Sequence, residues 1–256
     1  MNIHSLFILN QNGTCLYSRN FTKELKNLDV HLITPFFSAI LSFSQKVIER
    51  KLEELEMSGL RFTFKVKKDF IFVLLADMTT SLLYLTSRLT KISDAFFTEY
   101  ISSQDILKNV KEIENPEFDK IIDIIITGED EIFRSKDFYR IIVDLFKDLL
   151  FQNEIIGAAL LSTDGKIIYS SLPSEILLSS LKELEIRYMS GTTNLPELFY
   201  SLKTGEKVFS AIIYDDSKGI SFQIVLMFES SVPLGMAELN LFKIKKKVVK
   251  LLKIDQ

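Results

Sequence analysis

The same hairpin occurs twice in this chain. "LFILNQNGTCLYSRNF" (6–21) and "AALLSTDGKIIYSS" (158–171) each pass from an apolar run through Asn-Gly or Asp-Gly into a second short apolar run ending in Tyr-Ser. Asn12-Gly13 and Asp164-Gly165 accept the positive φ that a tight hairpin turn demands. A pattern that recurs this far along the chain points to two copies of one structural unit. With 256 residues, two domains of ordinary size fit.

The flanking segments repeat as well. After the first hairpin, "DVHLITPFFSAILSFSQKVIERK" (29–51) has helical spacing, with Leu32, Phe36, Ile40, Phe43 and Val47 on one stripe and Asp29 as N-cap. "LRFTFKV" (60–66) alternates, and "FIFVLLA" (70–76) is apolar on both faces, as a covered central strand should be. Helices follow at 79–100, with the stripe Leu82, Leu85, Leu89, Ile92, Phe96 and Tyr100, and at 118–126; Gly128-Glu129-Asp130 then breaks the chain before a helix at 136–153. In the second half, strands at 155–163 and 166–171 precede a helix at 174–186, and strands at 206–215 and 220–230 precede a helix at 235–254. "LEELEMSGLRFTFKVKKDFIFVLLAD" (52–77) matches 197–229 in layout: a short ambiguous piece, a turn glycine (Gly59, Gly205), a strand, a charged turn and an apolar strand. Both halves therefore read β-β-α-β-β-β-α. The fold class is α+β, layered α/β/α, with two five-stranded antiparallel sheets flanked by helices. The domains are 1–128, comprising a core of 1–100 and a helical connector 101–128, and 129–256.

Composition removes several function classes. The net charge is −3 and the pI about 5.6, which gives no general attraction for nucleic acid. The single cysteine, Cys15, excludes an intrachain disulfide and reads as a small core hydrophobe. No apolar run approaches the ~18 residues of a membrane span, and the first residues already read as strand without a signal-peptide pattern, so a cytoplasmic protein is expected. His4 and His31 have no partners at ligand spacing, so neither a metal site nor a catalytic histidine is expected; no cofactor is expected either. There is no glycine-rich phosphate loop and no Gly-x-Ser-x-Gly elbow. "GEDE" (128–131) and "EELE" (53–56) read as solvated acidic groups, and the dense phenylalanines as core. The chain is expected not to be an enzyme.

The first half, with "LFILNQNGTCLYS", "ITPFFSAILSFSQKV" and "FIFVLLAD", resembles a longin domain. The second half, with a helix at 136–153 ahead of its first strand and "VPLGMAEL" (232–239) opening its last helix, resembles a roadblock domain or a second longin domain. The resemblance implies an interaction platform of the kind that binds or regulates small Ras-like GTPases in membrane-trafficking and signalling complexes, including archaeal ones. Implied partners are a small GTPase, another longin or roadblock protein, a second copy as a dimer, or the other half of the same chain. A small-molecule sensor of the PAS or GAF kind is the alternative.

A strand at a sheet edge leaves backbone groups unpaired, so the short third strands should be contact sites. Leu55, Met57, Phe199 and Ser201 are the expected interface residues, with the first helix around Leu32–Val47 and the helix at 174–186 expected to supply flanking apolar contacts. The lysine-rich C-terminal helix, "FKIKKKVVKLLKI" (242–254), should bury Leu241, Ile244, Val248 and Leu251 and leave Lys243, Lys245, Lys246, Lys247, Lys250 and Lys253 on its other faces. Peripheral contact with an anionic membrane surface is the most this helix implies.

Overall fold

The computed structural model describes residues 2–23, 29–100, 112–128, 136–190, 197–215 and 220–254. The chain divides into two compact units, Met1–Asp130 and Glu131–Gln256.

In the first unit, β1 (Ile3–Asn10) and β2 (Cys15–Asn20) form the hairpin, followed by α1 (Val30–Phe43) and a π-helical turn at Ser44–Ile48. Next come β3 (Glu54–Met57), β4 (Leu60–Lys67), β5 (Phe70–Asp77), α2 (Leu82–Tyr100) and α3 (Pro116–Thr127). The sheet order is β2-β1-β5-β4-β3, antiparallel throughout. β1 and β5 lie inside the sheet and are apolar on both faces because both faces are covered. Leu6, Ile8, Phe72 and Leu74 pack with Leu85, Leu89, Ile92 and Phe96 of α2 and Phe118 and Ile122 of α3. Phe7, Leu9, Val73 and Leu75 pack on the opposite face with Phe37 of α1. α3 starts where Asn115 Oδ1 accepts the Glu117 and Phe118 amides, with Pro116 in the first turn, and stops at Gly128 with φ +64°.

The second unit repeats this plan with one helix added in front. α4 (Lys136–Phe151) precedes β6 (Gly157–Ser162), β7 (Ile167–Ser170), α5 (Ser174–Met189), β8 (Glu197–Ser201), β9 (Lys207–Asp215), β10 (Ile220–Phe228) and α6 (Leu234–Ile254). The order β7-β6-β10-β9-β8 is that of the first sheet. Ile142 and Phe146 of α4 and Leu241, Ile244 and Val248 of α6 cover one face; Ile176 and Leu181 of α5 cover the other. The β-β-α-β-β-β-α order expected from sequence is present in both units. Residues 101–111 of the expected connector and most of "GEDE" lie outside the described residues.

The two opening hairpins match bond for bond. Gly13 donates to Asn10 O and Asn10 to Thr14 O, both at 3.0 Å; Gly165 donates to Ser162 O and Ser162 to Lys166 O, both at 2.9 Å. Each is a three-residue loop closed by a glycine bulge, with φ +84° at Gly13 and +85° at Gly165. The glycines are therefore where sequence places them, but the loops are one residue longer than a two-residue turn.

One expectation needs correction: of the dense phenylalanines read as core, Phe36 and Phe43 are exposed. The stripe Leu32, Phe36, Ile40, Phe43 and Val47 of α1 and the turn after it faces away from the core. Leu32, Val47 and Phe43 keep 74%, 65% and 55% of their surface exposed, Phe36 is exposed too, and Ile40 is only partly buried. The buried line is Thr34, Phe37 and Ser44, flanked by Val30, Ile33 and Leu41. Phe37 lies among Phe7, Phe62 and Phe64, with ring centroids 6.1, 5.3 and 5.4 Å away. Side-chain bonds hold this rotation: Ser38 Oγ donates to Gln11 O (2.7 Å), 27 residues away, and Ser44 Oγ donates to Arg50 O (2.7 Å). The close approach of Gly13 to Pro35 and Ser38, where a Cβ would stand 3.2 and 3.1 Å away, seats the helix on the hairpin loop.

Candidate interaction surface

α1 carries no Asp, Glu, Lys or Arg; from Val30 to Gln45 the only titratable side chain is His31. A surface helix ordinarily pairs one apolar stripe with a charged one. Here both faces are apolar and the sheet covers only one. The outward face presents Leu32, Phe36, Phe43, Val47 and Ile48, a line of large side chains spaced by about one and two turns. The π-helical turn ends at Glu49, whose φ of +58° breaks the helix.

Beside α1, β3 is an open edge. Leu55 pairs with Phe62 and Met57 with Leu60. Leu55 and Leu60 are partly buried on the same cluster as Phe37, while Met57 is half exposed. The amide of Phe64 donates to Glu53 O at 2.8 Å, and hydrogen-bonded pairs alternate along an antiparallel ladder. The backbone groups of Leu55 and Met57 therefore point inward to β4, and those of Glu54 and Glu56 point to the free edge. Leu55 and Met57 can offer side chains to a partner; a strand adding to this edge would bond Glu54 and Glu56. Arg61 pairs with both glutamates, 3.4 Å from Glu54 and 2.5 Å from Glu56, on the sheet face away from α1.

β8 is the corresponding edge of the second sheet. Leu202 donates to Glu206 O at 2.9 Å, so by the same alternation the backbone groups of Phe199 and Ser201 face outward. The Phe199 ring lies 4.7 Å from that of Phe209 and remains partly exposed. At the other edge of the first sheet, Ile113 donates to Leu16 O of β2 at 2.7 Å, and Arg19 bridges Asp119 and Asp123 of α3. Among the described residues that edge is already engaged, and no further strand pairs with β3.

The polar interior is structural in geometry. His4 is buried, 2.8 Å from Thr22 Oγ1 through Nδ1 and 2.8 Å from Asp77 Oδ1 through Nε2, which ties β1 to the end of β5. Burial tends to raise the Asp77 carboxyl, but bonds from His4 and the Asn2 amide outweigh it and hold it below its ordinary range. The His31 side chain lies outside the described residues. Burial pushes the Cys15 thiol up to about 11, leaving it protonated and unreactive at neutral pH. Under α5, Glu183 accepts from Ser210 (2.6 Å) and pairs with Arg187 (2.8 Å). Burial raises the Glu183 carboxyl more than these partners lower it. A depression of about 450 Å³ beside the first hairpin is lined by Asn12, Gly13, Thr14, Cys15, Ser18 and Glu112 together with the start of α1. It lies between the hairpin, including β2, and the first turns of α1, and most of the side chains that line it are polar. Among the described residues no group of three or more His, Cys, Asp or Glu side chains is placed to hold a metal ion.

The sequence places both edge strands and points to the helix around Leu32–Val47 as a flanking contact, but the core reading of its phenylalanines fails at Phe36 and Phe43. A readable signal for the exposed face was the missing charge on α1.

No family model matches this sequence, and no curated protein does. Among solved structures, Myxococcus xanthus MglB is 19% identical, with a TM-score of 0.33 over 40% of this chain and 85% of that one. A chain in a homology model of the full-length AP-3 complex, in a stretched open conformation, is 12% identical with a TM-score of 0.33 over 75% of this chain and 99% of that one. At those scores neither likeness carries weight for fold or function.

Proposed function

We propose that this chain is a non-enzymatic interaction scaffold of the longin and roadblock kind, and that the outward face of α1 with the neighbouring β3 edge receives a small Ras-like GTPase. The observation that carries this reading is α1: a helix apolar on all sides but covered on one. Helices with that composition are normally buried all round. Leu32, Phe36, Phe43 and Val47 are anchor-type side chains, and with Leu55 and Met57 beside them they suit a standard interface of roughly 800 Å² per partner. The absence of charge favours a folded protein over a phosphate-bearing ligand. The partner class follows from the resemblance of the layout to longin and roadblock domains. In this reading the chain works in the cytoplasm, at the site where its GTPase is recruited.

The sensor reading has less support. It needs an apolar cavity between sheet and helix with convergent polar groups. Over the central strands the space is packed by Phe37 with Phe62 and Phe64 on one face and by Phe72, Phe96 and Phe118 on the other, and the depression between β2 and α1 is lined mostly by polar side chains.

The test is a pull-down of small Ras-like GTPases in GDP-loaded, GTP-loaded and nucleotide-free states by the full chain and by Leu32→Asp/Val47→Asp. Both positions are exposed, so the fold should survive. The reading expects at least one GTPase to bind the native chain and the double variant to lose it. Preference for the nucleotide-free state would mark exchange activity. Retention of a second copy in place of a GTPase would make the surface a dimer interface, and binding unaffected by the double variant would remove α1 from the account.

A further inference from the structure

The last helix carries a second outward face that its core packing does not use. α6 buries Ala237, Leu241, Ile244 and Val248 along one side. The opposite side, at helical spacing, presents Leu239, Phe242, Lys246 and Lys250, with Met236, Lys243 and Lys247 along its flank. Leu239 and Phe242 keep 55% and 50% of their surface exposed, and Met236 and Leu234 are similarly open. Lys246 Nζ lies 4.6 Å from the centre of the Phe242 ring. Lys243, Lys246, Lys247 and Lys250 gather around a shallow depression with Asn240 and one carboxylate, Glu154. Lys245 differs: it is taken by Glu197 at 3.0 Å. Glu238 is the acidic side chain within α6 itself.

Cations toward a helix C-terminus are ordinary, since they complement its dipole. That accounts for the lysines but not for large apolar side chains on the same outward ridge. We infer that the outer face of α6 docks the chain onto an anionic lipid bilayer. Its lysines neutralise headgroup phosphates, and Met236, Leu239 and Phe242 enter the boundary between headgroups and acyl chains. A single helix presents a convex ridge, and a bilayer deforms to receive one, burying such side chains ~5–10 Å below its surface. The 21-residue helix is ~31 Å long, so its apolar and basic segments touch the same membrane patch. The molecule as a whole is acidic, at −3, so attraction to anionic lipid must come from a local concentration of charge such as this one. Charge also separates the two surfaces. The uncharged face of α1 suits a folded protein; the mixed lysine and apolar face of α6 suits lipid. Neither assignment depends on the other.

The experiment is flotation of the full chain with vesicles of phosphatidylcholine, with and without phosphatidylserine. The native chain should float with the phosphatidylserine vesicles and stay behind with phosphatidylcholine alone, and binding should weaken as salt rises. Each lysine near an anionic surface contributes about fivefold in affinity, so Lys243→Glu/Lys246→Glu/Lys247→Glu/Lys250→Glu should lower binding by more than about a hundredfold. Leu239→Ser/Phe242→Ser should lower it by about tenfold or more, because apolar burial is lost while the charge remains. Both variants change only outward positions, and an unchanged circular-dichroism melt confirms that loss of binding is not loss of fold. The inference is overturned if the native chain stays soluble with phosphatidylserine vesicles at low salt, which would leave an acidic protein as the occupant. It is equally overturned if the lysine variant floats like the native chain, or if neutral vesicles bind as well as anionic ones.

Discussion

Phe36 and Phe37 are chain neighbours with opposite expected roles, and replacing each with alanine tests the rotation of α1. Phe37 is fully buried with four aromatic neighbours whose ring centroids lie within 6.1 Å: Phe7, Phe62 and Phe64 inside, and Phe36 beside it. Truncating a buried phenylalanine costs about 3–5 kcal/mol in lost transfer energy and residual cavity. Aromatic pairing contributes within that range at about 0.5–1.5 kcal/mol per pair. Phe36 is 44% exposed, so its truncation should cost no more than about 1 kcal/mol. The assay is urea unfolding followed by far-ultraviolet circular dichroism, because the chain has no tryptophan to report by fluorescence. With a urea slope of about 2 kcal/mol per M for a domain of this size, Phe37→Ala should lower the midpoint of the first unit's transition by about 1.5–2.5 M. Phe36→Ala should move it by less than about 0.5 M. In partner pull-downs the order reverses: Phe36→Ala weakens binding in a chain that remains folded. Equal midpoint shifts, or a larger shift for Phe36→Ala, would refute the assignment of the exposed face.

Proline separates the two sides of β3. Met57→Pro removes an inward ladder bond and should cost the fold about 1–3 kcal/mol, whereas Glu56→Pro removes an outward amide and should cost little beyond its exposed pairing with Arg61. If a partner strand adds at this edge, Glu56→Pro lowers its affinity in a pull-down; if partner contact is by side chains alone, Met57→Ala lowers it and Glu56→Pro does not. Glu183 supplies a pH signature. Its carboxyl titrates higher in the folded chain than in the unfolded one, so the native state holds the extra proton above the ordinary value of 4.5. Stability therefore falls as pH rises through that window and the loss persists above it. Urea melts across that range should show this slope in the native chain and a flatter one in Glu183→Gln; identical slopes would remove Glu183 as its source.

Much of the architecture was legible because hydrophobic period and turn chemistry are local. Gly13, Gly59, Gly165 and Gly205 mark loops by their positive φ, and the two-sided apolar runs of β5 and β10 place them inside their sheets. On α2, Leu85, Leu89, Ile92 and Phe96 were identifiable as core because charged and polar residues occupy much of the remaining surface. α1 lacks that contrast. Leu32–Phe36–Phe43 and Ile33–Phe37–Leu41 are equally apolar lines, and only contacts distant in sequence, such as Ser38 with Gln11, choose between them. The amide direction along β3 is likewise set by its register with β4, which strand propensity does not encode. The apolar residues on the outer face of α6 were obscured by the lysines around them. The buried pair of Glu183 and Arg187 looks, in sequence, like an ordinary exposed pair one helical turn apart.

The most direct test of the scaffold account is hydrogen–deuterium exchange of the full chain with and without the small Ras-like GTPase that it retains most strongly. The account predicts slowed exchange on binding across residues 30–48 and 54–57, with the interior strands β1 and β5 unchanged. It is contradicted if no GTPase binds in any nucleotide state, or if one binds and the slowed amides lie elsewhere while α1 and β3 exchange as they do in the free chain.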